Sequence, residues 1–193
     1  DNVTSSLCAF CAAPIVAQAQ SVKIIPPGAV LPFHIPAATA ERSFAEWIRS
    51  RWFAPSDLRA IARLEGRLAG VYLPFWTYDA KTRTRYTGQR GEHYYVTVNK
   101  QRQRRTRWYP AAGVVHNTFD DVLVCASRSL PTDRIESLEP WELGELKPYR
   151  HQFLAGFRAE SYGIALQEGL RLAADKMEPV IDATIRSDIG GDA

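Results

Sequence analysis

The sequence predicts an α+β fold: an antiparallel, twisted β-meander packed by two short helices and one long C-terminal helix. Three observations carry that prediction. Between residues 70 and 127 apolar and polar residues alternate with a period of two, in runs separated by short turns. On either side of that region apolar residues recur at helical spacing instead. At 193 residues and 46% hydrophobic content, the chain is long enough to bury one packed core.

The elements follow in order. Cys8 and Cys11 form a C-x-x-C pair near the start. Val22 to Pro36 reads as a strand edge or connector, because its prolines fix φ and remove backbone donors. Thr39 is placed to cap a helix running to about Trp52, with Phe44, Trp47, Ile48 and Trp52 on its buried face. Pro55-Ser56-Asp57 starts a second short helix, with Leu58, Ile61 and Leu68 inward. Val71 to Tyr78 is a strand whose Tyr72, Trp76 and Tyr78 share one side, where packing against the first helix accounts for them. Thr82 to Thr87, Glu92 to Val98, Arg104 to Tyr109, Gly113 to Phe119 and Val122 to Ala126 follow as further strands. Sequential strands joined by short turns pair as a meander. Pro140-Trp141 and Pro148-Tyr149 mark an irregular crossing segment. The last helix is expected from Ala159 to Ser187, with Tyr162, Leu166, Leu170, Ala173, Met177, Val180 and Thr184 along one seam. Pro179 is expected to kink or split it, and Gly190-Gly191 to end it.

Charge is unevenly spread. The net charge of +3 conceals a middle stretch, residues 81–109, with nine basic groups against Glu92 alone. Residues 110–193 carry eight basic and fourteen acidic groups. No run approaches the ~20 apolar residues of a membrane span. Three cysteines are too few for a disulfide scaffold, which fits a reducing compartment and a cytoplasmic location.

Several residue groups carry candidate chemistry. Cys8 and Cys11 have the spacing of two zinc thiolates on one turn, but a tetrahedral site needs four ligands, so the pair is a half-site. Within this chain alone the pair is expected to be empty or completed by a neighbouring molecule. Cys125, in an apolar run, reads as a small buried hydrophobe. The tract from Lys100 to Arg107, followed by Trp108 and Tyr109, is the sharpest functional candidate. In a strand Arg105 and Arg107 share a face with Tyr109, while Arg104 shares the other with Trp108; Arg83 and Arg85 lie on one face of a nearby strand. Guanidinium groups beside exposed rings track phosphates and stack bases. The plainer reading is a solvated face whose arginines pair with the acidic C-terminal half. Asp120 and Asp121, as consecutive strand residues, are expected to point to opposite faces rather than share a site. His34, His93, His116 and His151 are scattered, and no G-x-S-x-G elbow occurs, so no catalytic residue is assigned.

Taken together, the phrases Gly70 to Ala80 (GVYLPFWTYDA), Thr106-Arg-Trp108, Phe119-Asp-Asp-Val-Leu-Val124, Leu154-Ala-Gly-Phe157 with Glu160 and Tyr162, and Asp188-Ile-Gly-Gly-Asp192 resemble a bacterial family of TFIIB-type zinc-ribbon proteins. Members are often labelled by transfer as primosomal protein N′ (replication factor Y), a superfamily II helicase. The resemblance implies zinc in the intact protein, with Cys8 and Cys11 as one knuckle. It also implies a truncated core lacking the first knuckle and a C-terminal extension. It hints at an indirect link to assemblies of membrane-associated SPFH-domain proteins. A helicase motor is excluded from this stretch, because no G-x-x-x-x-G-K-[ST] phosphate loop occurs.

The expected organisation is a zinc-ribbon remnant over residues 1–21 and one α+β domain over 22–193, β-rich at 70–127 and helical at 150–188. The expected function is non-enzymatic, an interaction or scaffold module that binds a protein partner or a second copy of itself. The alternative is a nucleic-acid-binding module using Arg83, Arg85, Arg104, Arg105, Arg107, Trp108 and Tyr109.

Overall fold

The computed structural model describes residues 3–7, 14–16, 25–51 and 68–192. The fold is α+β, with antiparallel strands and a long C-terminal helix. Cys8, Cys11 and the expected second helix at 55–67 lie outside the described residues. Contacts gather the chain into two compact units, one from residues 1–75 and 125–164, the other from 76–124 and 165–193. The expected boundary at 21/22 falls within the sequence span of the first.

In the first unit, β1 (Val3–Leu7) pairs antiparallel with β2 (Pro14–Val16), in register from Ser5 opposite Val16 to Leu7 opposite Pro14. β3 (Ala29–Val30) lies in the proline-rich stretch and pairs with β7 (Lys147–Pro148), which ties that connector to the irregular crossing segment. β8 (Arg158–Glu160) runs between β1 and β4 (Val71–Tyr72), completing the sheet order β2-β1-β8-β4. The strand at 158–160 corrects the expected start of the last helix. Ser127 and Ser129 both donate to the Glu160 carboxylate, at 2.6 and 2.8 Å, and so fix the end of β8. Tyr72 packs edge-on to Phe33 and Phe157.

Helix α1 (Ala37–Ser50) begins two residues before the expected cap. The Pro36 carbonyl accepts the N–H groups of Thr39 and Ala40, so Thr39 sits inside the first turn and its hydroxyl accepts from Arg42. Among the described residues of the expected face only Ile48 is fully buried; Trp47 is half-exposed, with Arg51 over its ring, and Trp52 lies outside the described residues. Helix α2 (Thr132–Glu136) is a single short turn around buried Ile135.

The second unit consists of two very long strands and one helix. The first of the six expected short strands is split between β4 and β5, and the others merge into β5 (Phe75–Val98) and β6 (Gln101–Cys125), one hairpin instead of a series. Asn99 and Lys100 form its turn, both at positive φ (52° and 64°). That is the backbone of a two-residue primed turn, which matches the twist of the flanking strands. The turn sets Val98 opposite Gln101, and contacts between His93 and Thr106 and between Tyr86 and the position of Gly113 keep that register. The internal glycines read as turns in sequence, yet they simply continue the strands.

Helix α3 (Leu166–Ile189) lies on one face of this ribbon. Trp76, Tyr78, Ala80, Phe119 and Val122 pack with Val124 around Ala173, Met177 and Ile181. Trp76 and Tyr78 therefore face α3, not α1, while Tyr72 belongs to the other unit. The line of contact on α3 is Gly169, Ala173, Met177, Ile181, Thr184 and Asp188, because the partner is a flat ribbon and the i+4 row meets it. Leu170 and Val180 of the expected seam are 55% and 50% exposed. Pro179 leaves the helix continuous. Pro179 and Asp175 both lie on the exposed side, where water can serve the carbonyl that loses its N–H partner.

The Tyr86 hydroxyl donates to Asp188 near the end of α3. The carboxylate that accepts this proton holds the Tyr86 phenol above its usual range near 10. The folded protein thus keeps a proton that the unfolded chain releases, so this contribution is complete below that range and fades as pH rises through it. Melting temperature is expected to fall as pH rises above about 9, and Tyr86→Phe should make that fall shallower. Equal pH dependence in the two proteins would contradict the coupling.

Candidate functional site

Alternation along the ribbon separates two faces. Even-numbered positions of β5 and odd-numbered ones of β6 turn towards α3, and burial alternates accordingly along Trp76–Tyr86 and Tyr109–Phe119. The opposite, outer face carries Lys81, Arg83, Arg85, Gly91, His93 and Tyr95 from β5, and Arg102, Arg104, Thr106, Trp108 and His116 from β6. No acidic residue occupies this face between Lys81 and Thr118.

A single β-bulge ends the pattern at the base. Asp121 has φ of 53° and its N–H donates to the Asp79 carboxylate at 3.0 Å, so Asp120 and Asp121 together oppose one residue. Beyond it the inward positions become Val122 and Val124. The bulge brings Asp79, Asp120 and Asp121 within 4.8 Å of one another, all exposed. This corrects the expectation that consecutive strand residues keep the two carboxylates apart. Charge on the ribbon therefore runs from acidic at the base to basic along the outer face.

Length decides how much of the ribbon runs past the helix. A strand of 24 residues extends about 80 Å, whereas a helix of 24 residues extends about 36 Å. The helix ends with Ile189 beside Gly88. From there Gly190 and Gly191, both at positive φ, carry the chain to the edge of β5. Asp192 N–H donates to the Gly91 carbonyl at 2.8 Å, and its carboxylate accepts the His93 N–H at 2.9 Å. A side chain at Gly191 would meet the Gly91 carbonyl and Arg90, so only glycine allows this approach. About 30 Å of hairpin continues past the helix.

That projecting part is rich in rings and cations. Arg102 lies 4.0 Å over the Tyr95 ring on the outer face. Tyr95 and Trp108 are each 54% exposed. On the inner face Arg107 lies over Tyr94, Arg90 over Tyr109, and Arg90 pairs with Glu92 at 2.7 Å. Among the described residues, none of Arg83, Arg85, Arg102, Arg104 and Arg105 has an acidic partner within ion-pair distance. The pairing of these arginines with the acidic C-terminal half is thus not seen.

The predicted candidates divide. Arg83, Arg85, Arg104 and Trp108 share the outer face, though Arg85 and Arg104 are separated by about 30 Å of ribbon. Arg105, Arg107 and Tyr109 lie on the inner face. Sequence reasoning missed Lys81, Tyr95 and Arg102, which complete the outer strip. The signal was available in the Asn99-Lys100 turn, which fixes register across both strands.

The chain is similar to a bacterial protein named "Uncharacterized protein YdjG", from Bacillus subtilis (strain 168), with 26% identity over 165 residues. The match covers 86% of this chain and 48% of that protein, so the chain spans about half the length of the curated relative it matches. No family model and no solved structure matches the chain. Among the described residues, no helix is long and apolar enough to cross a membrane.

Proposed function

We propose that the chain is a non-enzymatic, zinc-ribbon-linked interaction module whose ligand is nucleic acid, bound on the outer face of the long hairpin in a reducing, cytoplasmic setting. One observation carries this reading. Five cations and two exposed rings line one ribbon face that holds no acid between Lys81 and Thr118. Five phosphate contacts release condensed counterions, which gives affinity without an enclosed pocket. Zinc belongs to the longer chain in this reading, with Cys8 and Cys11 as two of its four thiolates; the strands flanking the pair run antiparallel.

A second reading, a protein scaffold or self-association surface, is favoured by Leu170 and Val180, which border the packed line of α3 and are half-exposed. Titration into labelled oligonucleotides separates the two. Five contacts predict affinity falling about a hundredfold between roughly 50 and 200 mM salt. No binding at the lower salt would overturn the nucleic-acid reading and leave the scaffold.

A further inference from the structure

Resting on that reading, we infer that the outer face selects single-stranded nucleic acid over duplex, with Tyr95 and Trp108 as its stacking rings. Three features support it. Tyr95 lies opposite Arg104 and Trp108 lies opposite Gly91, which has no side chain to screen the indole. Among the described residues, no ring or cation contact covers Trp108. The two ring positions are four residues apart along β5, about 13 Å.

Bases in a duplex lie about 3.4 Å apart along each strand, so rings at this separation meet them only after unstacking. A single strand offers its base faces directly, and each stacks on any exposed ring without regard to sequence. The cations also suit a flexible ligand. From Lys81 to Thr97 the strip runs about 50 Å, longer than one turn of duplex at about 34 Å. Duplex stays stiff over about 150 base pairs and leaves such a twisted strip, whereas a single strand follows it. Arg102 lies over one face of the Tyr95 ring, so a nucleobase meets Tyr95 on the other face or in place of Arg102. Arg104 lies across from the ring, and Lys81, Arg83 and Arg85 continue the phosphate track towards the base of the ribbon.

The test compares oligothymidylate, oligouridylate and a blunt duplex of equal length, with heparin as a polyanion lacking bases and phosphatidylserine vesicles as a lipid surface. Single strands are expected to bind at least about tenfold more tightly than duplex at the same salt. Trp108→Ala and Tyr95→Ala should each weaken single-strand binding about tenfold or more and leave heparin binding unchanged. Both positions are exposed, and unchanged melting would certify the fold of each variant. Equal or tighter duplex binding, or ring variants that bind single strands normally, would overturn the inference while leaving the nucleic-acid reading intact. Binding to heparin or vesicles but to neither nucleic acid would overturn both.

Discussion

Gly169→Val is expected to destabilise the hairpin–helix unit by about 3 kcal/mol. Gly169 is buried on α3, and a Cβ there would stand 2.8 Å from Trp76 Cδ1 and closer still to the Tyr78 hydroxyl. Neither neighbour can withdraw cheaply. The Tyr78 hydroxyl donates to the Leu166 carbonyl at 2.7 Å, and Trp76 packs into the cluster around Met177. Gly169→Ala sharpens the test, because two effects oppose each other. In an exposed helix that change stabilises by about 1 kcal/mol through propensity. Here the extra methyl overpacks a filled contact, which typically costs about 1–3 kcal/mol. Denaturant melts should therefore show Gly169→Ala less stable than the parent. A stabilised alanine variant would mean that α3 does not sit this closely on the ribbon.

The second large effect concerns binding. Replacing Arg83, Arg85 and Arg104 together with alanine should lower affinity for oligothymidylate on the order of a hundredfold at low salt. Each phosphate contact to a single strand contributes about 0.7 to the slope of log affinity against log salt. The triple variant should therefore flatten that slope by about 2. All three side chains are exposed and, among the described residues, have no acidic partner. Their loss should leave melting nearly unchanged, so reduced affinity reports the surface and not the fold.

The α+β character of the chain was legible from its two periodicities, and so was the termination of the last helix by Gly190-Gly191. The length of the strands was less legible. Gly88, Gly91 and Gly113 look like punctuation, but each sits inside a ribbon whose register the Asn99-Lys100 turn dictates. The same loss of register hid the bulge at Asp121, and with it the cluster with Asp79. A non-glycine residue at positive φ cannot be read from a run such as Phe119-Asp-Asp-Val. The long helix was found by pattern, yet its seam was displaced. The heptad-like line through Leu170 and Val180 suits a helical partner, while the actual partner is a sheet face that takes Gly169 and Ala173. For the candidate site, residue type pointed to the right strand segments. Strand alternation alone already put Arg104 and Trp108 on one face and Arg105, Arg107 and Tyr109 on the other. The hairpin register added that Lys81, Arg83, Arg85 and Tyr95 of β5 share the face of Arg104 and Trp108.

The sorting of arginines by face is the claim that matters most, and a paired salt titration tests it directly. Oligothymidylate affinity would be measured across salt for the parent, for Arg83/Arg85/Arg104→Ala on the outer face, and for Arg105/Arg107→Ala on the inner face. The outer variant should flatten the salt slope by about 2, and the inner pair by less than about 1. A larger loss from the inner pair, or equal loss per arginine from both faces, would contradict the assignment of the outer face as the working surface.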